Sequence, residues 1–295
     1  MWLAKSFDEV RKMESGLLEV FAKARAVFAS DVYFLSKPEG ILVVVRTAAG
    51  WAQTEIKSAA EGTSWIRALK YDAGMNVAET RRPQLGALPL NELGVTLRLS
   101  TVGDYTNQEA LVARLIYGVP GLDQWTEPIV NDLVTRLADH RMLALCGPTG
   151  SGKTTLLYQV AMALGTAQMV MTIEDPVEIA APEFLQLQVN PEAGMSYASL
   201  LKAALRKRPD VLVIGEIRDF ETAQAACEAA ISGHMVLTTV HAQTAAQVPL
   251  RLIALGVAKP LVNAALRLSA DVRLVSTPVV HPVVSVVVHK EDSHA

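Results

Sequence analysis

Residues Gly147-Pro148-Thr149-Gly150-Ser151-Gly152-Lys153-Thr154-Thr155 spell G-x-x-x-x-G-K-T directly after the apolar run Met142 to Cys146. Glycines at those spacings let successive backbone N–H groups curl around a polyphosphate. Lys153 then reaches the outer phosphates, and Thr154 presents a hydroxyl suited to Mg²⁺. A strand before the loop and the helix-forming stretch Lys153 to Leu164 after it supply the setting the motif requires. The residues therefore point to binding of ATP or GTP.

Ligands of an open α/β sheet bind outside the carboxyl ends of its strands, so chemistry is sought just beyond each strand. Glu174-Asp175-Pro176-Val177-Glu178 follows a strand over Met169 to Ile173, and Gly215-Glu216-Ile217-Arg218-Asp219 follows one over Val211 to Ile214. Thr238, Thr239 and His241 come after Met235 to Leu237. Phosphoryl transfer to water needs a phosphate cradle, a metal, an oriented water and positive charge, and these segments bring groups of those kinds to one edge. Each has a plainer reading as well. Glu174 and Asp175 could cap a loop before Pro176, Glu216 and Asp219 could be the solvated first turn of a helix, and His241 could be an ordinary loop histidine. Coincidence of position, not any single residue, carries the case. Asp210 precedes its strand, and at about 3.3 Å per residue it should lie roughly 15 Å from that edge.

The elements that must hold these residues follow from periodicity. Leu17, Val20, Phe21, Ala24, Val27 and Phe28 recur on one helical face, predicting a helix from about Asp8 to Ala29. Strands are expected at Val32 to Leu35 and Ile41 to Arg46 around the turn Lys37-Pro38-Glu39-Gly40. A helix should follow at Ala59 to Tyr71, then strands at Val95 to Thr101 and Leu111 to Tyr117. Residues 1–118 thus read as a small α+β domain. The breaker cluster Gly118-Val119-Pro120-Gly121 marks the boundary. In residues 119–295, helices at Thr126 to Leu137, Tyr197 to Lys207 and Glu221 to Ile231 alternate with short apolar strands. The strands include Phe184 to Val189 and Met235 to Val240. This alternation implies an α/β domain with a mostly parallel sheet. The valine-rich tail, with Pro278 and Pro282, reads as a hairpin, and Glu291 to Ala295 as a frayed end.

Hydrophobic residues make up 51% of the 295 and charged residues 19%, with a net charge of −3. No global basic field exists to hold a nucleic acid, so direct nucleic-acid binding is not expected. The N-terminus has no long apolar run of signal-peptide type. The most apolar tract, Val272 to Val288, is interrupted by Arg273, Pro278, His281 and Pro282 and predicts no membrane span. Cys146 and Cys227, the only cysteines, form no C-x-x-C pair and read as small buried residues.

Four boxes in order resemble the secretion and pilus-assembly ATPases of type II secretion, type IV pili and competence systems. They are the Walker A loop at 147–155, Thr172-Ile173-Glu174-Asp175-Pro176-Val177-Glu178, Leu212-Val213-Ile214-Gly215-Glu216-Ile217-Arg218-Asp219, and Gly233-His234 through His241. Ala29-Ser30-Asp31-Val32, Ala73-Gly74-Met75-Asn76-Val77-Ala78-Glu79 and Leu97-Arg98-Leu99-Ser100 extend the likeness into the first domain. The resemblance implies a PAS-like N-terminal domain, a RecA-like P-loop NTPase domain, and ATP with Mg²⁺. Lys153, Glu174, Glu216 and His241 would be catalytic: Lys153 on phosphate, Glu174 as water-activating base, Glu216 supporting metal and water, and His241 sensing the γ-phosphate. Thr154 and Glu216 would hold the metal. The nucleotide would be bound by 147–155 together with Arg98 and Arg114, which Arg81 or Arg82 could join. A homohexamer is implied, cytoplasmic and peripheral at the inner face of the cell membrane. It would act on an inner-membrane platform protein to drive assembly of a pilus or pseudopilus. Tyr33 and Leu85 depart from the family's frequent His and Asp. Neither an extra N-terminal domain nor a tetracysteine insert is seen, which brings the chain nearest to competence-type assembly ATPases. Two other readings remain: a DNA translocase or conjugation-type motor on the same core, and a nucleotide-binding scaffold that hydrolyses nothing.

Overall fold

The computed structural model describes residues 15–137, 142–165, 168–276 and 279–289. The chain divides between Gly118 and Val119 into two compact units.

In the first unit, α1 (Ser15–Ala26) precedes β1 (Asp31–Lys37), β2 (Gly40–Thr47), β3 (Gly50–Lys57), α2 (Ala59–Asp72), β4 (Gln84–Leu90), β5 (Val95–Gly103) and β6 (Glu109–Tyr117). The six strands form one sheet in the order β3-β2-β1-β6-β5-β4, and all five neighbouring pairs are antiparallel. Strand alternation explains its core: Leu97 and Leu99 of β5 are buried with Val32 and Phe34 of β1, Val43 and Val45 of β2, and the helix residues Leu17, Phe21, Trp65 and Leu69. Arg98 stands between Leu97 and Leu99 and so projects to the other face.

The predicted first helix needs correction at its C-terminal end. It stops at Ala26, while Val27 and Phe28 are exposed instead of lining the buried face. Phe28 turns to a positive φ of 49° and Ala29 donates to the Ala24 carbonyl at 2.9 Å, so the chain reverses before Asp31. Residues 8–14 of that expected helix, the frayed end 291–295 and Pro278 lie outside the described residues.

Helix α2 is capped by Ser58, whose side chain accepts from the Glu61 N–H. It packs so closely on β2 that a Cβ at Gly62 would stand 2.3 Å from Ile41 Cβ. Gly62→Ala is therefore expected to overpack this contact and destabilise the protein by about 1–3 kcal/mol. The readout is a lower urea midpoint at unchanged slope; an unaltered midpoint would show that the helix shifts freely.

The second unit contains α3 (Thr126–Arg136), β7 (Met142–Cys146), α4 (Lys153–Leu164), β8 (Val170–Glu174), β9 (Leu185–Gln188), α5 (Tyr197–Leu205), β10 (Val211–Ile217), α6 (Phe220–Ile231), β11 (Met235–Val240), α7 (Val248–Ala254), α8 (Lys259–Ala265), β12 (Leu266–Val275) and β13 (His281–Val288). Its seven strands run β13-β12-β7-β11-β10-β8-β9. Every pair is parallel except β12 with β13, the C-terminal hairpin. Helices cover both faces. Val130 and Leu133 of α3 and Leu156, Leu157 and Val160 of α4 pack on one side with Leu143, Leu145, Val213 and Leu237. Residues of α5, α6, α7 and α8 pack on the other with Ala144, Ile173, Ile214 and Val236. Both faces of the inner strands are therefore dry, which is why they read as unbroken apolar runs.

Strand β10 runs on to Ile217, so Glu216 lies within the strand and not beyond it as the sequence suggested. The pairing of β10 with β11 shifts between Ile214 and Ile217. Such a bulge re-aims the side chains it contains. Cys146 and Cys227 are buried free thiols.

Candidate functional site

The strand order places β7, β11, β10 and β8 side by side, so the segments leaving their carboxyl ends converge. They line a cleft of about 230 Å³ formed by Thr149, Gly150, Lys153 and Thr154, by Glu174, Asp175, Pro176 and Glu178, and by Gly215, Glu216, Arg218, Thr239, His241 and Tyr197.

The loop after β7 is shaped by close approach. Gly147 has φ 134°, and a Cβ there would meet the Val272 carbonyl oxygen of β12 at 2.3 Å, so no larger residue fits. Lys153 folds back over the loop, donating from Nζ to the carbonyls of Gly147 at 2.9 Å and Pro148 at 2.7 Å. Burial holds its ammonium below the usual lysine range, with Cys146, Glu178 and Glu216 opposing that shift. Helix α4 begins at Lys153 behind Gly152, which offers no side-chain cap, and Ser151 Oγ is buried with no hydrogen-bond partner among the described residues. A helix N-terminus with its first N–H groups unspent, beside a cation, has the chemistry that anionic phosphates satisfy. Gly147, Pro148, Ser151, Gly152 and Thr155 shape the loop and helix start without lining the cleft.

Glu174 ends β8 and is 3% exposed. Its Oε1 accepts from Thr172 Oγ1 at 2.6 Å and from the Tyr158 hydroxyl of α4. Burial raises its carboxyl above the ordinary range, while the bonds from Thr172, Tyr158 and Gln186 and from the Glu178 N–H pull it back down. Gly215 lets β10 pass close by, since a Cβ there would stand 3.3 Å from Glu174 Cγ. The Asp175–Pro176 peptide bond is cis.

Glu216 projects from the β10 bulge, which Thr239 Oγ1 ties down by donating to the Gly215 carbonyl at 2.7 Å. Its carboxylate bridges two bases: one oxygen pairs with Arg218 and the other lies 3.3 Å from His241 Nε2. That pairing holds the Arg218 guanidinium above its usual range. Thr154 and Glu216 face the same cleft, so both are placed where a cation bound to phosphate could be shared, as Mg²⁺ is held with few protein ligands. Asp219 plays the plainer role: it caps α6, accepting from Thr222 N–H at 2.8 Å. Asp210 accepts from the Met169 N–H at 2.7 Å at the opposite ends of the strands.

Arg218 and Tyr197 join the cleft without having been singled out from the sequence. For Arg218 a signal existed, because it stands two residues after Glu216 and strand alternation would put both on one face. Tyr197 opens α5 behind its Ser196 cap, and nothing in its spacing points to the cleft. Arg98 and Arg114 belong to the first unit, where they are directly opposed across β5 and β6. Arg114 pairs with Asp31 at 2.9 Å, which in turn faces Arg46 across β1 and β2. The backbone N–H groups of Arg81 and Arg82 both donate to the Glu79 carboxylate.

A family model described as "Type II/IV secretion system protein" matches residues 8–288. The chain is 39% identical over 244 residues to the competence protein ComGA of Streptococcus pneumoniae, a match spanning 82% of this chain and 78% of that one. It is 36% identical over 215 residues to the type IV pilus assembly ATPase PilB of Thermus thermophilus, spanning 68% of this chain and 24% of the relative. Among solved structures, the Legionella pneumophila ATPase DotB superposes with a TM-score of 0.71 at 22% identity, covering 96% of this chain and 83% of that one.

Proposed function

The chain belongs to the type II/IV secretion system protein family and is an ATPase of the secretion and pilus motor type; we propose that it works as a homohexameric ring that hydrolyses ATP to drive assembly of a type IV pilus or pseudopilus, of the kind used in competence or type II secretion. The observation that carries this reading is the cleft itself, which Lys153, Thr154, Glu174, Glu216 and His241 line together from the carboxyl ends of four neighbouring strands and the segments that follow them. In this reading residues 119–295 are a RecA-like ATPase domain and 1–118 a PAS-like domain. Arg98 and Arg114 of the latter would approach the nucleotide.

The roles follow from the chemistry each residue has. The backbone of 147–155 cradles the phosphates, and Lys153 exchanges its loop carbonyls for the outer phosphate oxygens. Thr154 and Glu216 are the residues that would hold Mg²⁺, which when bound offsets the phosphate charge. Glu174 takes the proton from the attacking water. Its burial suits that task, because a carboxylate raised toward neutrality is a stronger base than an exposed one. His241, 3.3 Å from Glu216, would report the γ-phosphate.

Among the described residues no helix is long and apolar enough to cross a membrane. In our reading the ring is cytoplasmic and reaches the inner face of the membrane through an inner-membrane platform protein. Light scattering of the purified chain with ATP and Mg²⁺ tests the ring: a mass of six chains is expected, and a strict monomer at micromolar concentration would overturn the hexamer.

A further inference from the structure

We infer that Tyr158 is a positioning residue for Glu174, fixing the base to the same helix that carries the phosphate and metal ligands. This rests on the proposed role of Glu174.

Tyr158 is 1% exposed, yet its hydroxyl is fully employed. It donates to Glu174 Oε1 and accepts from Gln186 Nε2 at 2.8 Å. Gln186 is itself fixed: Nε2 also donates to the Ile179 carbonyl at 2.8 Å, and Oε1 accepts from the Ala181 N–H at 2.8 Å. Thr172 Oγ1, two residues before Glu174 on the same face of β8, gives the carboxylate its other buried hydroxyl. A phenol and a glutamine side chain in an apolar layer cost free energy unless they are satisfied, and here each polar atom involved has its partner.

The placement along α4 gives this network its purpose. Tyr158 follows Thr154 by four residues and Lys153 by five, so Thr154 and Tyr158 share a face of α4 one turn apart. One rigid helix thereby sets the phosphate loop's lysine and threonine at its first turn and the base at its second. The second hydroxyl, from Thr172, holds the same oxygen from β8. Rotation of the carboxylate is blocked from two directions, and its separation from Lys153 is fixed by helix geometry. Tyr158 does not line the cleft, so it acts on the attacking water only through Glu174.

The test uses the full chain and measures kcat, KM and ATP affinity, the last by displacement of a fluorescent ATP analogue. Tyr158→Phe keeps the ring and removes only the hydroxyl. It is expected to lower kcat roughly tenfold, the worth of one hydrogen bond to a charged group, with ATP affinity within about twofold of native. Thr172→Val should behave alike. In a Glu174→Gln background, which itself should lose at least about a hundredfold in kcat, Tyr158→Phe should cost nothing further, because residues acting as one unit are not additive. Native kcat in Tyr158→Phe, a further tenfold loss on top of Glu174→Gln, or loss of ATP binding would each overturn the inference. Native turnover in Glu174→Gln alone would remove the base assignment itself, a result separable from the tyrosine's failure.

Discussion

Lys153→Ala is expected to abolish ATP hydrolysis, with kcat reduced at least about a hundredfold, and to weaken ATP binding by roughly one to two orders of magnitude. The reason is the local electrostatics of the loop. Lys153 Nζ sits on the carbonyls of Gly147 and Pro148 in a partly buried position, and its pKa is lowered chiefly by that burial. Charge placed where water is scarce interacts more strongly with a phosphate than charge at the surface. A charge-assisted hydrogen bond contributes about 1.5–3 kcal/mol to binding. Stabilisation of charge developing in a transition state typically adds a factor of about 10²–10³ in rate. Alanine removes both effects and also frees the two carbonyls that the ammonium now holds. Isothermal titration with ATP, beside a phosphate-release assay, reads the two losses separately. Unaltered affinity would remove Lys153 from the phosphate site.

Glu216→Gln should separate the two activities, which Lys153→Ala loses together. The substitution keeps the side chain's shape while deleting one negative charge from a cleft that must accept a polyanion, and it turns one of the two acceptor oxygens into an N–H donor. ATP affinity is therefore expected to stay native or rise slightly, while hydrolysis falls by about 10²–10⁴-fold. The structure adds a reason for the size of the loss. Glu216 organises Arg218 and His241 through its two carboxylate oxygens, so one substitution unties two cleft side chains as well as removing a charge. Near-native turnover would take Glu216 out of the catalytic set.

The sequence was most legible where the physics is local. Strand β7, the loop that follows and helix α4 read at their observed limits, because a strand buried on both faces is an unbroken apolar run and the glycines mark its end. The strands missed, β3 and β4, are the two edges of the first sheet. Gly50–Lys57 contains few apolar residues, and Gln84–Leu90 carries Gly86 and Pro89, which edge positions tolerate and central ones do not. Helices α7 and α8 are seven residues each with proline in the first turn, too short for a periodic signal.

The site shows a similar division. Residues of one motif are read from spacing, but their relation to other motifs is set by tertiary pairing. Gly215 looked like the end of a strand and proves to be the thin point where β10 passes Glu174. Tyr158 falls in the helix-forming stretch Lys153 to Leu164 with no spacing that marks it out, and its hydroxyl gains meaning only once β8 brings Glu174 beside it. Val27 and Phe28 continued a helical period that the reversal at Phe28 cuts short, because local periodicity carries no information on where the next strand must begin.

Equilibrium ATP binding and single-turnover phosphate release, measured together on the native chain and on Glu216→Gln with Mg²⁺ present, test most directly that this cleft hydrolyses ATP. The account predicts that both proteins bind ATP with similar affinity and that only the native chain releases phosphate at an appreciable rate. Phosphate release at the native rate by Glu216→Gln, or a native chain that binds no ATP, would contradict it.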